Sequence, residues 1–258
     1  MSRQDLSKMG SARVSVETLG GVNCVLKQGA SEVEINFYQS AAPNLMGINT
    51  PKLLKIDKDH LYIEHIPNSL SLMELRTEPD LFSQLAALHC SQYIPTFAAK
   101  KHEWTAFATD QALKVLNLPD GVEYSIRRIA SLSDCIFECK ILISGDTNDS
   151  NWGKRKNGDL VLFDWERFGQ GSPAIDLAPL VRGLGNIGEY REIATQYIKY
   201  NPVLSETELL EHLIIAKCWI IIEVVNILIS RNNPDKGKYL NWYRANITKW
   251  LVSVEGAL

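Results

Sequence analysis

Ile143-Ser144-Gly145-Asp146-Thr147-Asn148-Asp149-Ser150-Asn151-Trp152-Gly153 is followed by Leu160-Val161-Leu162-Phe163-Asp164-Trp165-Glu166, and then by Gly171-Ser172-Pro173-Ala174-Ile175-Asp176-Leu177-Ala178. Asn151 stands five residues after Asp146, and Asp164 eighteen after it. The apolar run Leu160 to Phe163 reads as a short strand, so Asp164 lies at a strand end, where side chains emerge into a cleft. Magnesium takes hard oxygen donors and shares them with substrate phosphates. An amide oxygen (Asn151) and a carboxylate (Asp164) would supply the protein's part, leaving Asp146 to orient and deprotonate a hydroxyl. Phosphoryl transfer from a nucleoside triphosphate needs such a set. Each residue also has a plainer reading. A loop aspartate often caps a turn, and Asn148 and Asp149 compete for the same roles. Glu166 would share the face of Asp164 if the chain stays extended; there it either touches a second metal or forms a structural salt bridge.

Towards the N-terminus, Ala12 to Leu19 and Val22 to Lys27 alternate at strand period around Gly20-Gly21, which predicts a β-hairpin. Lys27 ends the second strand, where an ammonium could hold the α- and β-phosphates of ATP. Ser31 and Glu34 form a capping-box pattern at the head of a helix containing Ile35, Phe37 and Tyr38. Glu34 is therefore either a cap residue or the acidic partner of Lys27, with Glu32 as a rival. Leu61 to Glu64 is a further strand, and His65 to Ser69 a connector. From Ser71 the pattern is mainly helical, interrupted over residues 141–166. Ser205 and Glu208 head a long apolar helix, and Asp235 to Val254 reads as a last helix with Tyr239, Trp242, Tyr243, Ile247, Trp250 and Leu251 on its apolar side.

The motif Gly-Asp-x-x-x-x-Asn, the strand ending in Asp-Trp-Glu and the tail Gly-x-Pro-x-x-Asp-Leu-Ala resemble the catalytic and metal segments of the aminoglycoside phosphotransferase and choline kinase family. Glu34-Ile-Asn-Phe-Tyr38 and Leu85-Ala-Ala-Leu-His89 resemble two of its helices. The resemblance implies a protein-kinase-like bilobal α+β fold. Residues 1–66 would form a small β-rich nucleotide-binding lobe, and residues 67–258 a larger, mainly helical catalytic and substrate-binding lobe. It implies Asp146 as catalytic base, Asn151 and Asp164 on Mg²⁺ with Glu166 nearby, and Lys27 with Glu34 as the kinase lysine–glutamate pair. Adenine would lie against backbone groups near Glu64 and Ile66, and Gly10 and Ser11 would cover the phosphates, although the glycine triplet of protein kinases is missing. Asp176 would brace the catalytic loop or cap a helix. His89 reads as a packed helix residue. Many family members carry His where this chain has Ser144. The activity implied is transfer of phosphate from ATP or GTP to a hydroxyl of a small molecule: an aminoglycoside or other antibiotic first, as in antibiotic resistance, then a choline-like alcohol or a sugar. The rival reading is a nucleotide-binding pseudokinase or regulatory scaffold.

At 258 residues the chain can bury about 70–75% of the surface its unfolded form exposes. A formal net charge of −3 and the lack of a long basic run disfavour nucleic acid. The five cysteines are odd in number and scattered, which disfavours a disulfide framework. No apolar signal core opens the chain, and Lys217, Glu223 and Asn226 interrupt the apolar run Leu213 to Ser230. That run therefore reads as a buried helix rather than a membrane span, and the expected location is the cytoplasm. Monomer and dimer remain equally open.

Overall fold

Gly20 and Gly21 both take positive φ (58° and 84°), the conformation of a two-residue hairpin turn, and join β1 (Arg13–Leu19) to β2 (Val22–Gln28). The structure, a computed structural model, describes residues 12–258. Expected Gly10 and Ser11 lie outside the described residues. After β2 come α1 (Glu32–Asn36), β3 (Leu53–Asp57), β4 (His60–Glu64) and β5 (Asn68–Ser69). The first four strands form an antiparallel sheet in the order β1-β2-β4-β3, with Lys27 opposite Leu61 and Cys24 opposite Glu64. Ser31 caps α1 by accepting from the Glu34 N–H. The helix runs on as a turn of π-helix, Phe37–Ala41.

Helices α2 (Leu72–Leu75) and α3 (Leu81–His89) follow, and His89 is buried, in keeping with a packing role. Residues 141–170 carry β6 (Leu142–Ile143), β7 (Trp152–Lys154), β8 (Leu160–Leu162) and β9 (Gly169–Gln170). β5, β7 and β8 make a small sheet, and β6 pairs with β9. By its contacts the chain divides into two compact units. The first holds the chain up to Lys101 together with Ile141–Gln170, and the second holds His102–Lys140 with Gly171–Leu258. The first unit extends past residue 66 because β5 pairs with β7 and because Arg155 and Lys154 form ion pairs with Glu64 and Glu78.

The second unit is helical: α4 (Ala106–Leu116), α5 (Asp120–Ser131), α6 (Asp134–Phe137), α7 (Ala174–Leu177), α8 (Ile187–Tyr197), α9 (Glu206–Ser230) and α10 (Lys236–Val254). Helix α9 is its axis and packs against all six others. It is long and apolar enough to cross a membrane by length and composition, yet much of it is buried inside the protein. Its polar residues point to partners there: Lys217 Nζ donates to Val181 O (2.9 Å) and Asn226 Nδ2 to Ala108 O (2.9 Å). Ser205 and Glu208 complete the expected capping box. In α10 the apolar face is narrower than the sequence implied. Tyr243, Ile247, Trp250 and Leu251 are buried, but Tyr239 and Trp242 are 46% and 42% exposed. Asp176 lies inside α7, whose N-cap position is Pro173, so it does not cap that helix.

Candidate active site

Two segments of the first unit converge because their aromatic residues pack together. Phe37, just past α1, stacks on Trp165 with ring centroids 4.0 Å apart and planes within 9°, and Phe168 closes on Phe37 at 5.0 Å. Trp165 also anchors itself through its indole N–H on Leu162 O. This packing sets Glu34, three residues before Phe37, beside Asp164, one before Trp165. Between them lies the Lys27 ammonium, 2.6 Å from Glu34 Oε1 and 2.8 Å from Asp164 Oδ1. Glu34 Oε1 takes the Trp165 N–H as well (3.3 Å). The Glu34 carboxylate therefore does not reach back to close a capping box at Ser31; its reach is spent on Lys27.

Burial pulls the Lys27 ammonium toward neutrality, but Glu34 and then Asp164 outweigh it and hold the lysine above its ordinary value. Burial pushes the Glu34 carboxyl up, against the pull of Lys27. Asp164 has φ of +67°, a left-handed conformation that aspartate adopts more readily than most residues. The chain thus turns at Asp164 instead of continuing extended, so Glu166 does not reach its place by strand alternation. It lies in the turn that follows, and its carboxyl is pushed up by burial and by Asp164.

The loop carrying Asp146 is braced from several sides. Trp152 Nε1 donates to Thr147 O (3.1 Å), Arg167 Nε to Gly145 O (3.0 Å), and Asn151 Nδ2 to Asp146 O (3.0 Å). The Phe163 N–H donates to Asn151 O (2.9 Å), which ties this loop to the Asp164 segment. The Asn151 bond also orients its amide, leaving Oδ1 as the atom that could face a cation. Asn148, a rival in the sequence, instead braces Asp146: its Nδ2 donates to Asp146 Oδ1, and its Oδ1 accepts from Ser150. Burial raises the Asp146 carboxyl, Arg167 lowers it, and Asp164 raises it again.

Among the described residues no three His, Cys, Asp or Glu side chains form a metal site made of protein alone. Asn151 Oδ1 and the Asp164 oxygen not held by Lys27 are nevertheless hard donors of the kind magnesium shares with phosphates. Glu64 is more heavily used than expected. Its N–H donates to Lys52 O (2.8 Å), and Arg155 grips its carboxylate at 2.8 and 2.9 Å. The Arg155 hydrogen bonds hold that carboxyl below its usual range. A nucleotide base could use Glu64 only through its carbonyl. Ile66 is half-buried beside Gly153. Arg167 and Arg155 brace candidate site residues and carry no signal in the sequence. Arg167 is one step past the Asp-Trp-Glu triplet, but a lone arginine there gives no spacing to read.

No protein-family model and no curated protein matches the chain by sequence. Solved structures match almost its whole length. A choline/ethanolamine kinase family protein from Mesorhizobium loti is 19% identical, covers 99% of this chain and 90% of its own, and superposes with a TM-score of 0.68. Choline kinase LicA from Streptococcus pneumoniae is 17% identical, with coverages of 98% and 94% and a TM-score of 0.62. A thermostable mutant of aminoglycoside phosphotransferase APH(4)-Ia, in ternary complex with ADP and hygromycin B, is 14% identical, with coverages of 96% and 94% and a TM-score of 0.60. The chain thus carries the kinase-like α+β fold of aminoglycoside phosphotransferases and choline kinases.

Proposed function

We propose that this protein is a small-molecule kinase, transferring the γ-phosphoryl group of a nucleoside triphosphate to a hydroxyl of a small molecule. The observation that carries this is the Lys27–Glu34–Asp164 cluster, formed by residues up to 137 apart in sequence. Within the same unit lies a braced loop bearing Asp146 and Asn151. The nucleotide in the APH(4)-Ia ternary complex supports ATP as donor. Residues 1–66 would be the nucleotide-binding lobe, with the base against the Glu64 carbonyl and Ile66.

Lys27, fixed by two carboxylates, would present its ammonium to the α- and β-phosphates. Asp146 would orient the acceptor hydroxyl and take its proton as the oxygen attacks the γ-phosphorus and the bond to the β-phosphate oxygen breaks, releasing the diphosphate. Its raised affinity for a proton suits that role, and such a base contributes about 10²–10⁴-fold in rate. Asn151 and Asp164 would hold Mg²⁺, with Glu166 beside them; the metal would neutralise charge on the β- and γ-phosphates. Among acceptors, an aminoglycoside or other hydroxylated antibiotic ranks first, on the hygromycin B bound to the APH(4)-Ia mutant. A choline-like alcohol or a sugar comes next.

A coupled ADP-release assay with Mg-ATP or Mg-GTP against aminoglycosides, other hydroxylated antibiotics, choline and sugars tests the reading. Acceptor-dependent release, lost in Asp146→Ala, is expected. Nucleotide binding without release from any acceptor would favour the regulatory scaffold.

A further inference from the structure

In the second unit, a cavity of about 390 Å³ opens between the loop Arg182-Gly183-Leu184-Gly185 and one face of α10. That volume falls in the range of small-molecule sites. From α10 the lining residues are Trp242, Asn246, Lys249, Trp250 and Ser253, at helical spacing on a single stripe. The exposure of Trp242 leaves part of its indole uncovered, and among the described residues the charged ones lining the wall are the cations Arg182 and Lys249. Neither cation has an ion-pair partner among the described residues.

The loop is held in place by buried polar groups with no other evident task. Lys217 Nζ grips Val181 O at 2.9 Å. Tyr190, fully buried, donates its hydroxyl to Leu184 O and accepts the Trp250 indole N–H at 3.2 Å. The two glycines take φ of +58° and +71°, and a Cβ on Gly183 would meet the Trp242 ring at 3.4 Å. Burying a lysine amine is costly, and here one holds a surface loop against the cavity. Asn246 donates through Nδ2 to Trp242 O (2.7 Å), so its Oδ1 remains to accept from a hydroxyl. Glu189, the acid nearest the loop, does not line the cavity, and its Oε2 accepts from Asn186 Nδ2.

We infer that this cavity is a binding site for an anionic, hydroxyl-rich ring, such as a phosphorylated or carboxylated sugar. The ring lies against Trp242 and its hydroxyls reach Asn246 and Ser253. The anion is held between Arg182 and Lys249, a pair that repels a polycation. None of its residues belongs to the first unit, which holds Lys27, Glu34, Asp146, Asn151 and Asp164.

Isothermal titration at low salt with glucose 6-phosphate, glucuronate, glucose, inorganic phosphate and an aminoglycoside tests it. At least one of the two anionic sugars should bind saturably, at least tenfold tighter than glucose or inorganic phosphate. Affinity should fall with added salt. The exposed double reversal Arg182→Glu/Lys249→Glu should weaken that binding at least tenfold, and Trp242→Ala should weaken it while thermal melting stays near wild type. Glucose, phosphate or the aminoglycoside binding as tightly as the anionic sugars would overturn the inference. So would the absence of saturable binding by either anionic sugar, or unchanged affinity in the charge reversal.

Discussion

At the scale of single residues, one ammonium and two carboxylates bring the site together. Lys27 is buried with Glu34, so removing it leaves a carboxylate with no counter-ion in a dry setting. Breaking a buried pair in this way costs about 3–5 kcal/mol. Lys27→Met is therefore expected to lower unfolding stability by that order in urea titrations, besides impairing nucleotide binding. A loss below 1 kcal/mol would mean that the cluster is not formed in solution. Asp146→Asn keeps an oxygen for the Asn148 contact but removes the proton acceptor that the proposed mechanism requires. Turnover should fall about 10²–10⁴-fold with nucleotide affinity held within a few-fold, as read from kcat beside a nucleotide titration. The Lys27–Glu34 pair was legible in the sequence, because Lys27 ends an alternating run and Glu34 follows seven residues later at the head of a helix. The Arg167 and Asn148 braces were not, since they depend on how the loop curls and leave no pattern along the chain.

At the scale of elements, close packing decides two outcomes. A Cβ on Gly153 in β7 would come within 2.8 Å of the Ile66 Cγ2 and 2.9 Å of the Asn68 carbonyl oxygen. Backbone cannot retreat as a flexible side chain can, so Gly153→Ala should cost about 1–3 kcal/mol and loosen the β5–β7 pairing. Thermal melting of the variant checks this. In α9 the Ser205–Glu208 capping box satisfies N–H groups the helix cannot, and Ser205→Ala should cost about 1 kcal/mol by chemical denaturation. The hairpin, α9 and its cap could be read directly, because turn glycines and S-x-x-E are local signals. The two- and three-residue strands β5, β6, β7 and β9 could not, since such pairings are fixed by distant partners. The face of α10 was read too broadly: helical spacing puts Trp242 beside the core stripe, and only the loop opposite decides that it stays open.

At the scale of the whole molecule, α9 carries a lysine in the interior of the helical unit, and stability should depend on pH accordingly. Burial lowers the Lys217 ammonium to about 7, whereas in an unfolded chain it titrates near 10.4. Below pH 7 both states hold the proton and the group adds no slope. Between about pH 7 and 10 the unfolded chain keeps a proton that the folded one has released, so Lys217 makes stability rise with pH. Buried thiols act oppositely at the alkaline end, burial holding the Cys218 thiol well above its ordinary value. The difference between wild type and Lys217→Met isolates the lysine. Denaturation midpoints at pH 7 and pH 9 should separate in wild type by more than in the variant, and equal slopes would refute a buried, neutralised amine. The fold class was legible because motifs from both ends of the first unit agreed. The division into compact units was not, because residues 141–170 return to the N-terminal half through contacts that no linker composition announces.

Whether Asp146 directs transfer of phosphate to an organic hydroxyl is decided by ³¹P NMR of the protein with Mg-ATP and the acceptor that the ADP-release panel selects. A new phosphomonoester resonance growing with ADP, and absent with Asp146→Ala, is the predicted result. ATP yielding only inorganic phosphate, or the Asp146→Ala protein forming the same ester at the same rate, would contradict it.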